Sequence, residues 1–197
     1  MHRLAIFASG SGTNAQRIAE YFRDHPRIRV DLILSNNPGA FVLERAQKLH
    51  IPHVVFSRQE FYGTDYVLDL LTVQNVSYLI LAGFLWLVPV NILQHFAGRI
   101  VNIHPALLPR YGGKGMYGMK VHQAVLDSGD RESGITIHHV NERYDEGSVI
   151  FQARCPVMPR DTAETLAGRI HQLEYRHFPV VIEQLVLGKR TEGDTPA

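Results

Sequence analysis

Apolar residues recur along this chain at two spacings, and the two alternate. Leu4-Ala5-Ile6-Phe7-Ala8 is a continuous apolar run, the pattern of a strand buried on both faces of a parallel sheet. Ala15 to Phe22 then places Ile18, Ala19 and Phe22 at helical spacing. Ile28 to Leu34 reads as a second strand, closed by the turn Ser35-Asn36-Asn37-Pro38-Gly39. Ala40 to His50 is predicted as a helix and Ile51 to Phe56 as a short third strand. Ser57-Arg58-Gln59-Glu60 has the form of a capping box, and the helix it opens is expected to run to about Val73. Val76 to Ala82 is the fourth strand and the most apolar. Pro89 suits the first turn of a helix ending at Gly98, and Ile100 to His104 forms the fifth strand.

A long loop follows from Pro105 to Lys120, carrying Gly112, Gly113, Gly115 and Gly118; loops of this length in compact domains are commonly functional. Val121 to Asp127 is predicted as a helix. Ser133 to Val140 and Ser148 to Val157 are β-rich runs on either side of the polar turn from Asn141 to Gly147, which suggests an antiparallel edge. Asp161-Thr162-Ala163-Glu164 reads as a second helix-capping signature. Helical spacing then continues to Leu187, with Pro179 expected to kink or divide the helix and Gly188 to end it. The alternation of strands and helices predicts an α/β fold: a doubly wound, mostly parallel, Rossmann-like sheet with an antiparallel edge in its C-terminal part. Residues 1–188 are expected to form a single domain and residues 189–197 a disordered tail.

Composition narrows the function classes. The 197 residues are 45% hydrophobic and 20% charged, ordinary for a soluble globular protein. A net charge of +1 gives no basic signature for nucleic acid. The 11 histidines show no metal-ligand spacing. The single cysteine, Cys155, excludes an intramolecular disulfide and a cysteine-rich zinc site, and its apolar surroundings suggest a packed thiol. No metal is expected. Met1-His2-Arg3 leads directly into strand pattern, so no signal peptide is expected. The longest apolar run, Tyr78 to Val90, is too short for a bilayer and is interrupted by Gly83 and Pro89. Together these predict a cytoplasmic protein with neither nucleic acid nor membrane as partner.

Two stretches carry candidate chemistry. Ser9-Gly10-Ser11-Gly12-Thr13-Asn14 joins the first strand to the first helix. Its glycines could turn main-chain N–H groups toward a phosphate at the positive end of that helix, or serve a tight turn for steric reasons alone. The second runs from Val101 to Gly113. Asn102 and His104 are two residues apart, so in a strand both point to one face, at the carboxyl end where α/β sheets bind ligands. The amide can donate to an oxygen gaining negative charge, and the imidazole can give or take a proton near neutral pH. Addition to a carbonyl requires both functions. Alone, an Asn-x-His could equally be a turn amide and an ordinary strand-end histidine, and Asp145 an ordinary turn aspartate.

Four blocks appear in a recognisable order: the Ser9–Asn14 loop, Leu81-Ala82-Gly83-Phe84, Asn102-Ile103-His104-Pro105-Ala106-Leu107-Leu108-Pro109, and Asp145-Glu146-Gly147. With them the chain resembles the folate-dependent formyltransferase family, and within it the members acting on glycinamide ribonucleotide, from Leu4 to about Leu187. The resemblance implies catalytic roles for Asn102, His104 and Asp145. It implies that Gly10, Ser11, Gly12, Thr13, Asn14 and Glu174 bind the ribonucleotide. The co-substrate 10-formyltetrahydrofolate would contact Leu85, Trp86, Leu87, Val88 and Asn102, together with Asn141, Glu142, Arg143, Tyr144 and Asp145. The implied reaction is direct formyl transfer in purine synthesis, without a metal or a covalent enzyme intermediate. The chain departs from better-known members at Leu85-Trp86-Leu87, where Met-Arg is common, and at Glu146.

Other readings compete. Gly10-x-Gly12-x-x-Ala15 fits a loose dinucleotide fingerprint, but an NAD-dependent oxidoreductase wants an acidic residue at the end of the second strand. The chain has Ser35-Asn36-Asn37 there, and Asp31 lies early in the strand. Formyltransferases acting on an amino sugar nucleotide remain an alternative. Those acting on aminoacyl-tRNA, and hydrolases that deformylate the folate, carry an additional domain for which 197 residues leave no room. A non-catalytic binding module would not need Asn102, His104 and Asp145 together.

Overall fold

The computed structural model describes residues 1–189, so the predicted tail lies, from Arg190 onward, outside the described residues. Seven strands form one sheet in the order β3-β2-β1-β4-β5-β6-β7: β1 His2–Phe7, β2 Ile28–Ser35, β3 His53–Val55, β4 Tyr78–Leu81, β5 Ile100–His104, β6 Glu132–His139 and β7 Val149–Pro156. The helices are α1 Thr13–Tyr21, α2 Phe41–Lys48, α3 Arg58–Tyr62, α4 Tyr66–Val73, α5 Val90–His95, α6 Met119–Asp127 and α7 Ala163–Val186. The chain divides into two compact units, the first ending at Asn102 and the second starting at Ile103.

In the first unit β1 is central. It pairs in parallel with β2 and with β4, and β2 pairs in parallel with β3. Leu4, Ala5 and Ile6 are fully buried, as a strand covered on both faces requires. Asp31, early in β2, is engaged by Arg3 and Arg29. The capping box at Ser57 forms as predicted: Ser57 Oγ accepts from the Glu60 N–H, and Glu60 accepts from the Ser57 N–H. The single helix expected from there to Val73 is instead two, α3 and α4. The chain turns through Gly63, Thr64 and Asp65, where the Thr64 hydroxyl donates back to the Glu60 carbonyl and accepts from the Tyr66 N–H. A hydroxyl that satisfies local main-chain groups in this way competes with helix continuation.

In the second unit β6 and β7 form the predicted antiparallel pair. Helix α7 runs unbroken through Pro179, so of the two effects expected there, a kink or a division, the division does not occur. Pro179 is buried among Phe178, Val181 and Ile182, and this packing outweighs a penalty of about 3 kcal/mol for proline inside a helix. The helix is capped by Thr162 with Thr165, not by Asp161 with Glu164. Asp161 accepts from the Met158 N–H and from Arg169 instead. Gly188 follows the helix at φ +64, the left-handed conformation expected there. Cys155 is buried, and burial pushes its thiol up.

Candidate active site

The loop after β1 is fixed from several sides. Ser9 Oγ donates to Asn36 Oδ1 at 2.7 Å and accepts from the Leu85 N–H at 3.1 Å. The Val42 N–H donates to the Gly10 carbonyl at 3.1 Å, and Arg45 Nε donates to the Ser11 carbonyl at 2.8 Å. Gly12 precedes α1 in the left-handed region at φ +72, and a Cβ there would collide with the Val42 side chain and lie 2.8 Å from its Cα. Glycine is therefore required here on steric grounds, for the turn and for the close approach of α2, and this leaves the phosphate reading of the loop open. No side chain caps α1 and its first turn holds no acidic residue, so the positive helix end is not neutralised from within. Arg45 is a contributor to this loop that sequence reasoning missed.

Leu85 is exposed and Val88 buried. Trp86 packs into an aromatic cluster, with ring centroids 6.0 Å from Phe56, 5.9 Å from Phe61, 5.9 Å from Tyr62 and 6.4 Å from Phe84. The Arg58 guanidinium lies over the Tyr62 ring at 5.1 Å and the Trp86 ring at 5.8 Å. The Leu87 carbonyl accepts from the Tyr62 hydroxyl at 2.9 Å. Trp86 is thus held by protein rings on several sides.

Asn102 is the last residue of the first unit and sits opposite Leu81 of β4. His104, two residues on in β5, is 3% exposed. The loop that leaves β5 is anchored by Thr136 of β6, which is fully buried. Its hydroxyl accepts from the Leu108 N–H at 2.9 Å and donates to the Ala106 carbonyl at 2.7 Å. Gln152 of β7 completes this bracket, donating to the Leu108 carbonyl at 3.0 Å. Gly112 lies close to the turn that bears Asp145, because a Cβ there would be 3.2 Å from Asp145 Cβ.

The structure brings His104 and Asp145 together: Nδ1 is 3.5 Å from Oδ2. His104 Nε2 is 2.8 Å from the Tyr111 carbonyl. A carbonyl only accepts, so Nε2 carries a proton. Asp145 has φ +58, and its Oδ2 accepts from the Gly113 N–H at 2.9 Å. Gly147 stabilises the same turn, since any side chain there would overlap the His139 carbonyl. Burial pushes His104 below its ordinary value, and Asp145 and the Tyr111 carbonyl do not recover it. The charged imidazole expected from the carboxylate neighbour is therefore not the resting form at neutral pH. Burial works to raise the Asp145 carboxyl, but His138, His104 and the Gly113 N–H together hold it below the usual carboxylate value. Asp145 also lines a cavity of about 500 Å³, with Leu108, Pro109, Gly112, Gly113, Tyr144, Glu146, Gly147 and Val149. That volume is in the range of small-molecule sites.

The remaining candidates are placed separately. Asn141, Glu142 and Arg143 are exposed, with Asn141 Oδ1 accepting from the Arg143 N–H at 2.9 Å. Glu174 is 6% exposed within α7, whereas the isolated sequence suggests an exposed helix charge. His122 lies in the first turn of α6 and is buried. Among the described residues, no group of three or more His, Cys, Asp or Glu could hold a metal ion. No helix of the described residues is long and apolar enough to cross a membrane.

The sequence profile described as Formyl transferase matches residues 2–182. The chain belongs to the formyl transferase family. It is 42% identical over 186 residues to the chloroplastic phosphoribosylglycinamide formyltransferase of Arabidopsis thaliana, covering 91% of this chain and 64% of that protein. It is 36% identical over 195 residues to the phosphoribosylglycinamide formyltransferase of Haemophilus influenzae, covering 96% of this chain and 89% of that one. The crystal structure of glycinamide ribonucleotide transformylase 1 from Symbiobacterium toebii superposes with a TM-score of 0.87 at 33% identity, over 95% of this chain and 89% of that one.

Proposed function

We propose that this formyl transferase moves the formyl group of 10-formyltetrahydrofolate to the amine of glycinamide ribonucleotide, giving formylglycinamide ribonucleotide and tetrahydrofolate in purine biosynthesis. The observation that carries the reading is the His104–Asp145 pair, buried at the end of β5 in a chain whose relatives bear the name of that activity. The family profile runs through both units, which supports a single catalytic domain over residues 1–188. We read the protein as cytoplasmic, acting on small molecules, without a nucleic acid or membrane partner and without a metal.

Attack of the amine on the formyl carbon creates a tetrahedral oxyanion and a positively charged nitrogen. Asn102 and the Nε2 proton of His104 serve as donors to that oxygen, and one such donor is worth about 3–4 kcal/mol in the transition state. The Nε2 proton is held by the Tyr111 carbonyl in this structure and becomes available when that carbonyl gives way to substrate. With Nε2 already protonated, His104 takes up the proton shed by the amine at Nδ1, by way of the Asp145 carboxylate that faces it; Asp145 stabilises the imidazolium so formed, and the same route returns the proton to the departing nitrogen. Main-chain N–H groups of the Gly10–Asn14 loop receive the phosphate, and Glu174 binds the ribonucleotide. Leu85, Trp86, Leu87 and Val88 in the first unit, and Asn141, Glu142, Arg143, Tyr144 and Asp145 in the second, are read as folate contacts.

The test is a spectrophotometric assay with both substrates on the wild type, His104→Ala and Asp145→Asn. Ribonucleotide-dependent release of tetrahydrofolate, lost in both folded variants, is expected. Release without the ribonucleotide would mean a hydrolase, and absence of turnover by the folded wild type would sink the assignment.

A further inference from the structure

The reaction as derived leaves one buried imidazole beside Asp145 unused. His138 lies on β6 and is 2% exposed. Its Nδ1 is 2.8 Å from the His139 carbonyl, so Nδ1 carries a proton. Its Nε2 is 3.7 Å from Asp145 Oδ1. His104 repeats this arrangement from β5, with one nitrogen committed to a main-chain carbonyl and the other 3.5 Å from Asp145 Oδ2. The two carboxylate oxygens are thus divided between two histidines, with the Gly113 N–H adding a donor to Oδ2.

The division of the carboxylate gives the arrangement its meaning. With Oδ1 beside His138 Nε2, and Oδ2 beside His104 Nδ1 and the Gly113 N–H, both oxygens of a side chain only 12% exposed are fixed, and with them the plane of the carboxylate. The main chain reinforces this: the His139 carbonyl that takes the His138 proton is also packed against Gly147, two residues after Asp145.

We propose that His138 is a positioning residue for the transfer: it holds Asp145 by Oδ1 and keeps Oδ2 aimed at His104. This rests on the roles given above to His104 and Asp145. A satisfied core histidine would be the simpler explanation, but that accounts for Nδ1 only and not for the approach of Nε2 to a carboxylate. The ionisable groups facing the cluster are His104 from β5, Asp145 from the turn, and His122 from α6 acting on His104.

The test compares His138→Leu and His138→Gln with the wild type by steady-state kinetics, and by NMR titration of the His104 ring in the ligand-free protein. His138→Leu is expected to lose about 10- to 100-fold in kcat, the scale of a lost supporting contact, with KM for the ribonucleotide nearly unchanged. His138→Gln retains a neutral donor toward Oδ1 and should recover most of that loss. In both variants the His104 titration should move to higher pH, because a charge that disfavours its protonation is gone. A kcat for His138→Leu within about twofold of wild type would overturn the proposal. So would an unmoved His104 titration in folded His138→Gln, which remains decisive if the leucine variant does not fold. If the wild type fails to transfer formyl, the functional reading falls, while the titration of His104 still decides whether His138 acts on that site.

Discussion

Acid should destabilise this chain more than its carboxylates alone require, and His122 carries a measurable part of the effect. Its ring is 2% exposed in α6, and Nδ1 has no hydrogen-bond partner. Burial, then the charges of His171 and His104, push it down to about 4. In the unfolded chain a histidine titrates near 6.5. The unfolded state therefore binds the extra proton between those values. Stability is intact above about pH 6.5 and is lost as pH falls toward about 4. Linkage gives a loss of about 1.5–2 kcal/mol between pH 7 and pH 5. The measurement is urea unfolding by circular dichroism at pH 7 and pH 5, on wild type and His122→Leu. His104, His171 and His177 are also lowered, but they are present in both proteins and largely cancel in the comparison. The wild type should lose about 1.5–2 kcal/mol more than the variant on acidification, roughly 1 M in urea midpoint for a slope near 2 kcal/mol/M. Equal losses in the two proteins would mean that the ring is solvated or hydrogen-bonded, and that burial does not hold it neutral.

Three further outcomes are expected. Asn102→Ala should lower kcat by about 10²–10³-fold while the protein melts at an unchanged temperature; a smaller loss in steady-state assays would remove its amide from the oxyanion site. Gly12→Ala puts a side chain at φ +72 against Val42, so calorimetry should show ribonucleotide binding lost together with about 1–3 kcal/mol of stability. Retained affinity in that variant would argue against a phosphate at the loop. Thr136→Val leaves the Leu108 N–H and the Ala106 carbonyl without their buried partner and should cost about 1–3 kcal/mol by urea unfolding, with an unchanged midpoint counting against the bracket described above.

The strands were legible because both-face burial leaves an unmistakable apolar run, and Leu4 to Ala8 and Leu79 to Ile80 are buried as that pattern requires. The Ser57 box was legible because its reciprocal bonds lie within four residues. The break after Tyr62 was not, because it depends on the Thr64 hydroxyl choosing main-chain partners over solvent. The antiparallel pair was expected, but the place of His138 in it could not be. The β6–β7 register shifts between Ile137 and His138, so simple alternation cannot assign faces to adjacent histidines beyond that point. His104 and Asp145 were named from order and motif, whereas the depressed proton affinity of His104 follows from burial, which arises only when the loop from Pro105 closes over the strand end.

That depressed affinity bears directly on the proposed reaction. An amine sheds a proton as it adds to a carbonyl, and a histidine that is already charged has no capacity to accept it. Burial keeps the resting His104 neutral with its free lone pair on Nδ1, while Asp145, ionised through its own contacts, lies beside that same nitrogen to stabilise the imidazolium once it forms. The two opposing influences on His104 thus serve consecutive halves of the proposed cycle: desolvation keeps the ring neutral and so open to a proton at the start of attack, and the carboxylate lowers the cost of carrying the charge until the leaving nitrogen needs it. A site with the carboxylate but without the burial would hold His104 charged too early. A site with the burial alone would lack the means to stabilise the charge midway. The deep setting of both side chains is therefore a requirement of the chemistry as much as of the fold.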